Sequence, residues 1–101
     1  MGVISIVAKR LKEARLRAGV SQKQLGIKAG IDEFTASARI NQYERGKHMP
    51  DLQTLTRLAD VLHVPVAYFY CLDTELADVI VKFAALSKAQ RRRLLGLIGE
   101  L

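Results

Sequence analysis

Apolar residues recur at steps of three and four from the start of the chain. Ile4, Val7, Leu11 and Ala14 share one stripe, while Lys9, Arg10, Lys12, Glu13 and Arg15 fall mostly on other faces. That period predicts an amphipathic helix, ended by Gly19. Ser21 with Gln24 three places on forms a capping box, which predicts a short second helix from Gln22 to Ala29, stopped at Gly30. Asp32 is suited to cap a third helix from about Glu33 to Glu44, with Ile40 and Tyr43 facing inward, Phe34 placed to join them, and Gly46 as terminator.

Beyond the loop Lys47-His48-Met49-Pro50, Asp51 opens a fourth helix whose Leu52, Leu55, Leu58, Ala59 and Leu62 form the clearest stripe in the chain. Pro65 fits the first turn of a short fifth helix carrying Val66, Phe69 and Tyr70. Asp73 then caps a helix with Leu76, Val79, Ile80 and Phe83, and the capping box Ser87/Gln90 opens a last one with Leu94, Leu95, Leu97 and Ile98. No strand pattern competes, so the expected class is all-α with about seven helices.

At 101 residues, half of them hydrophobic and 26% charged, the chain has the size and balance of one folded domain with a short appendage. The net charge of +6 is unevenly placed: residues 1–50 hold ten Lys/Arg against four Asp/Glu, and residues 51–101 hold six of each. A basic half joined to a neutral half suits a first half that faces a polyanion; modest basicity as an aid to solubility is the plainer alternative.

Cys71 is alone, so no intramolecular disulfide forms, and cytoplasm is the default location. The apolar opening, Met1 to Ala8, has no basic residue ahead of it and is interrupted by Lys9 and Arg10, which makes it a poor secretory signal. No apolar run approaches the roughly 18 residues of a membrane span. His48, His63 and Cys71 lack zinc-site spacing, and no phosphate loop or nucleophile elbow is present, so no metal, cofactor or enzymatic activity is expected.

Arg10-Leu11-Lys12, Gly19-Val20-Ser21-Gln22, Leu25, Ala29-Gly30-Ile31, Ile40, Tyr43-Glu44-Arg45-Gly46-Lys47, Pro50-Asp51-Leu52-Gln53-Thr54-Leu55 and Leu58-Ala59 occur in order. In this the chain resembles the phage-repressor and Cro (XRE) family of helix-turn-helix regulators, over roughly residues 6 to 71. The resemblance implies a five-helix lambda-repressor-like DNA-binding domain, residues 1–71, with a C-terminal two-helix extension, residues 72–101. It implies double-stranded DNA as partner, with Ser37, Ala38 and Gln42 nearest the base edges and Arg39 and Asn41 next.

Such side chains suit base readout, Arg favouring guanine and Asn or Gln adenine, although an ordinary solvated helix face would look alike. The family places a backbone-clamping Gln at Gln22, and Lys23, Arg45 and Lys47 would complete a phosphate clamp. Resemblance also pairs Arg10 with Glu44 as a structural ion pair. The chain departs from its relatives between Gly30 and Glu44, where it is longer by roughly one helical turn, and at His63, which takes the place of a helix-ending Gly.

The expected function is therefore a sequence-specific DNA-binding regulator, a repressor on a palindromic operator. The apolar residues of 72–101 are expected to form the interface of a homodimer, with packing onto the first domain as the plainer alternative. Two alternatives remain: an antitoxin whose tail, 72–101, binds a partner protein, and an RNA- or protein-binding adaptor on the same fold. Tyr68, Phe69 and Tyr70 suit a core better than a stacking platform, Phe69 above all, and Arg91-Arg92-Arg93 stays unassigned.

Overall fold

Val7, Leu11 and Ala14 make the buried stripe of the first helix, α1 (Val3–Ala18), which ends at Gly19 in the left-handed conformation, φ 71°. Glycine takes that conformation without a Cβ penalty. The computed structural model describes residues 2–101; Met1, the first residue of the apolar opening, lies outside them. α2 (Gln22–Lys28) starts at the expected capping box. Ser21 Oγ accepts from the Gln24 amide at 3.0 Å, and Gln24 Oε1 accepts from the Ser21 amide at 2.8 Å.

α3 (Ala36–Glu44) begins three residues later than the pattern predicts. Asp32 does not cap it. Its Oδ2 accepts from the Phe34 amide at 3.0 Å, and its carbonyl accepts from the Thr35 amide at 3.1 Å and hydroxyl at 3.3 Å, closing a turn over 32–35. A short acidic side chain can satisfy local backbone donors this way in place of a helix start. Ala36, Ile40 and Tyr43 are buried at i, i+4 and i+7, whereas Phe34, expected to join them, stands in solvent.

Ala36 takes its place because the facing residue on α2 is Gly26. A Cβ built on Gly26 would lie 2.7 Å from the Cβ of Ala36.

α4 (Leu52–Leu62) is capped by Asp51, which accepts from the Thr54 amide at 2.7 Å. Leu55, Leu58, Ala59 and Leu62 are buried, while Leu52 is exposed. The helix ends at His63 with φ 56°, the left-handed cap expected of it. After Pro65 the fifth element is a 3₁₀ helix (Val66–Tyr70), where Tyr68 and Phe69 are buried edge to face with ring centroids 5.6 Å apart. That burial settles both rings as core, with Tyr70 partly exposed beside them.

α5 (Thr74–Ala84), capped by Asp73, buries Ala77 and lays Ile80 and Val81 against the core. α6 (Lys88–Gly99) opens at the Ser87/Gln90 box and buries no residue. It is fastened by Arg91, which donates to the carbonyls of Phe83 at 3.2 Å and Ala84 at 2.9 Å and sits 5.0 Å from the Phe83 ring centroid. A cation on the last carbonyls of α5 satisfies acceptors that the helix leaves open.

Among the described residues there is no strand, and no helix is long and apolar enough to cross a membrane. The radius of gyration, 14.8 Å, exceeds the roughly 13 Å of a globule this size, and the longest axis is 50 Å.

Gly26→Ala forces a methyl against Ala36, so it should destabilise the chain by about 1–3 kcal/mol, read as a lower urea midpoint. Hydrogen bonding from the Thr54 amide, helped by the charges of Arg39 and Arg57, holds the Asp51 carboxyl below its ordinary value of 3.8. A carboxyl whose folded pKa is depressed stabilises the fold above its unfolded pKa and loses that contribution as pH falls through the folded value. The urea midpoints of wild type and Asp51→Asn should therefore differ near neutrality and converge as pH drops below 3.8.

Candidate nucleic-acid interface

With Ala36, Ile40 and Tyr43 inward, the 3.6-residue period of α3 turns Ser37, Ala38, Arg39 and Gln42 outward, and all four are exposed. Arg39 Nη2 donates to the Tyr43 hydroxyl at 2.7 Å, and the guanidinium lies 5.8 Å from that ring's centroid. That bond tethers Arg39 and uses one of its five donors, while the residue stays exposed.

Asn41 is half-buried, and its Oδ1 accepts from Gln22 Nε2 at 3.2 Å. Gln22, the first residue of α2, also donates through Nε2 to Glu44 Oε1 at 3.2 Å. One base-reading candidate and one phosphate-binding candidate are thereby joined across the two helices. A bidentate contact from Asn41 to adenine needs that Oδ1, so Asn41 is less free to read a base than Arg39 or Gln42. Lys23, Arg45 and Lys47 are exposed; the amide of Lys47 donates to the carbonyl of Gln42 at 2.9 Å, which tethers the loop to α3.

The expected Arg10–Glu44 ion pair is not formed. Glu44 is held by Arg15, whose Nε donates to Oε2 and whose Nη2 donates to Oε1 at 3.0 Å; Arg15 Nη1 also donates to the Val20 carbonyl at 3.1 Å. Glu44's side chain is 3% exposed and that of Arg15 12%. The fork keeps Arg15 charged, raising its pKa chiefly through the hydrogen bond to Glu44, against the opposing effect of burial.

Arg10, five residues earlier, is about 7.5 Å down the axis and on another face of α1. It is 1% exposed and points to the chain leaving the 3₁₀ helix, donating to the carbonyls of Cys71 at 2.8 Å and Leu72 at 2.9 Å and to Glu13 at 2.8 Å. Those carbonyls need donors, and a buried guanidinium needs acceptors.

A second polar cluster lies outside the residues that the family motifs single out. Tyr68 accepts from Arg17 at 2.9 Å and donates to Glu13 at 3.2 Å, and burial raises its phenol pKa. Arg10, Glu13 and Arg17 recur at i, i+3 and i+7, a spacing that marks a polar stripe on α1 and was available in the sequence. These residues line a cleft of about 560 Å³ between α1 and α5. Arg10, Glu13, Arg17 and Tyr68 satisfy one another there, so the cluster fastens the helices.

Two helices in contact at Gly26 and Ala36, the second with a polar outer face, define a helix-turn-helix DNA-binding protein. The chain belongs to the XRE-type helix-turn-helix family of transcriptional regulators, the helix-turn-helix family model matching residues 11–69. The family is one of DNA-binding regulators and not of enzymes.

The chain is 52% identical to the transcriptional regulator BswR in its crystal structure, with a TM-score of 0.88 over 93% of both chains. It is also 37% identical over 62 residues to the HTH-type transcriptional regulator ImmR of Bacillus subtilis (strain 168). That alignment takes in 61% of this chain but only 46% of the relative, so the chain spans less than half of ImmR's length.

Arg15→Ala leaves the buried Glu44 carboxylate with the Gln22 amide as its remaining side-chain donor and should cost on the order of 3 kcal/mol in urea unfolding. Arg15→Lys should recover only part of the loss, because an ammonium cannot supply the two-pronged contact.

Proposed function

We propose that this chain is a sequence-specific transcriptional repressor that binds a palindromic operator as a homodimer, in the cytoplasm. The observation that carries this reading is the outward face of α3. Arg39, Gln42, Ser37 and Ala38 stand exposed together, with exposed cations at Lys23, Arg45 and Lys47. In this proposal Arg39 and Gln42 make the principal base contacts with Ser37 and Ala38 beside them, and Asn41 orients Gln22 as well as facing the groove. Gln22, Lys23, Arg45 and Lys47 hold phosphates, each neutralised phosphate contributing about −0.9 to the salt slope.

Residues 1–71 act as the DNA-binding unit and 72–101 as the pairing element. Leu76, Val79, Leu95, Leu97 and Ile98 of α5 and α6 are exposed, and a second copy of the chain is the natural cover for that apolar surface. A twofold pair places two copies of α3 roughly 34 Å apart, one helical turn of DNA, which calls for a palindrome. Occupying an operator blocks polymerase with no chemistry of its own, hence repression.

Selecting duplexes from a random pool should return a palindromic sequence. Arg39→Ala and Gln42→Ala should each lose about 1–3 kcal/mol on that duplex and relax base preference at one position per half-site. Lys47→Ala should weaken binding evenly across sequences and reduce the salt slope by about 1. Leu97→Glu should shift the sedimenting species to a monomer and weaken binding to the paired site. A pool without enrichment at low salt overturns the reading.

A further inference from the structure

Phe34 sits in the turn 32–35 that leads into α3 and is 88% exposed, while Phe69 is buried and Phe83 half-buried. Single exposed apolar side chains are common and by themselves need no explanation. Phe34 differs because its surroundings are fixed. The Asp32 side chain accepts from the Phe34 amide, the Asp32 carbonyl accepts twice from Thr35, and the residue after that, Ala36, is lodged against Gly26. The backbone at Phe34 is therefore held at a set position relative to α3, on the turn just ahead of its first residue.

A recognition helix meets base edges with its N-terminal end. At that end of α3 the exposed side chains are Asp32, Glu33, Phe34 and Thr35 of the turn and Ser37 and Ala38 of the first helical turn. The apolar ones among them are the Phe34 ring and the Ala38 methyl group, with the Thr35 and Ser37 hydroxyls between them in the chain. On the major-groove surface of a duplex the apolar feature is the C5-methyl group of thymine, which aromatic and methyl side chains contact. The flanking residues narrow the target further. Asp32 and Glu33 are acidic and exposed, so this turn supplies no phosphate contact, and any contact it makes with a duplex is to a base.

We infer that Phe34 is a specificity-determining residue that reads a thymine through its C5-methyl group, with Ala38 beside it. The inference rests on the DNA-binding reading above and adds a contact to it. The longer turn thereby acquires a role, since residues 32–35 extend the reading surface of α3 past its helical start.

The test replaces the thymines of the selected duplex one at a time by deoxyuridine, which removes the methyl group alone. Wild-type protein should lose about fourfold in affinity at one position per half-site, the worth of one buried methyl-sized group. Phe34→Ala should bind the thymine and uracil duplexes equally, with Phe34→Leu in between. Because Phe34 is outside the core, the thermal midpoint of both variants should match wild type.

Tight wild-type binding with no uracil effect at any position overturns the inference and leaves the regulator reading standing. A uracil effect that persists in Phe34→Ala overturns it too, by assigning the methyl contact to another residue. Phe34→Ala that keeps every base preference but loses a protein partner assigns the ring to that partner and overturns it likewise. Failure of wild type to bind any duplex removes the regulator reading and this inference with it.

Discussion

α3 reaches its place because one residue on α2 has no side chain. Gly26 lets Ala36 come so near that any Cβ at position 26 would sit inside van der Waals contact, and this close approach sets the register of the helix pair. With Ala36 fixed, Ile40 and Tyr43 follow it into the core by helical period, and the remaining positions form the outer face. The same approach determines what lies upstream. Residues 32–35 have to span the gap to Ala36 outside the helix, and Phe34 is carried into solvent with them.

Two arginines of α1 then hold this pair within the rest of the domain, each at a different junction. Arg15 grips Glu44 at the end of α3, and Glu44 passes the connection to Gln22 and so to Asn41. Arg10 grips the carbonyls at the entrance to α5. A charge withdrawn from water is costly unless it is paired, and both are paired through several hydrogen bonds in fixed geometry. The consequence is that α2 and α3 are coupled as one body, with Gln22 oriented by the helix that carries the exposed Arg39 and Gln42.

The C-terminal helices obey different energetics. α5 shares the core through Ala77, Ile80 and Val81, whereas α6 is attached by Arg91 at the end of α5 and keeps Leu95, Leu97 and Ile98 half or more exposed. Charge follows the same division, since the excess of cations lies in the first fifty residues, where α3 and its loop are found. The first half of the chain thus carries the excess of cations and the C-terminal helices the exposed apolar side chains.

Helix limits were legible in the sequence wherever the signal closes within a few residues: Ser21 with Gln24, Asp51, Asp73, Ser87 with Gln90, Gly19, and His63 as a left-handed cap. The buried stripes of α1 and α4 and the outward placement of Ala38 and Gln42 were legible for the same reason, being consequences of period alone, whereas Arg39 falls on the flank of α3. Asp32 was not, because its side chain can either cap a helix or close a turn, and the choice fell to a contact between Gly26 and Ala36. Nor was the partner of Glu44, for Arg10 and Arg15 are alike in chemistry and only the packing of α1 beside the end of α3 selects between them. The chain's local hydrogen bonds and periodicities thus belong to the sequence by itself. The fate of a side chain that could serve two neighbours equally well is settled only when distant segments compete for the same space.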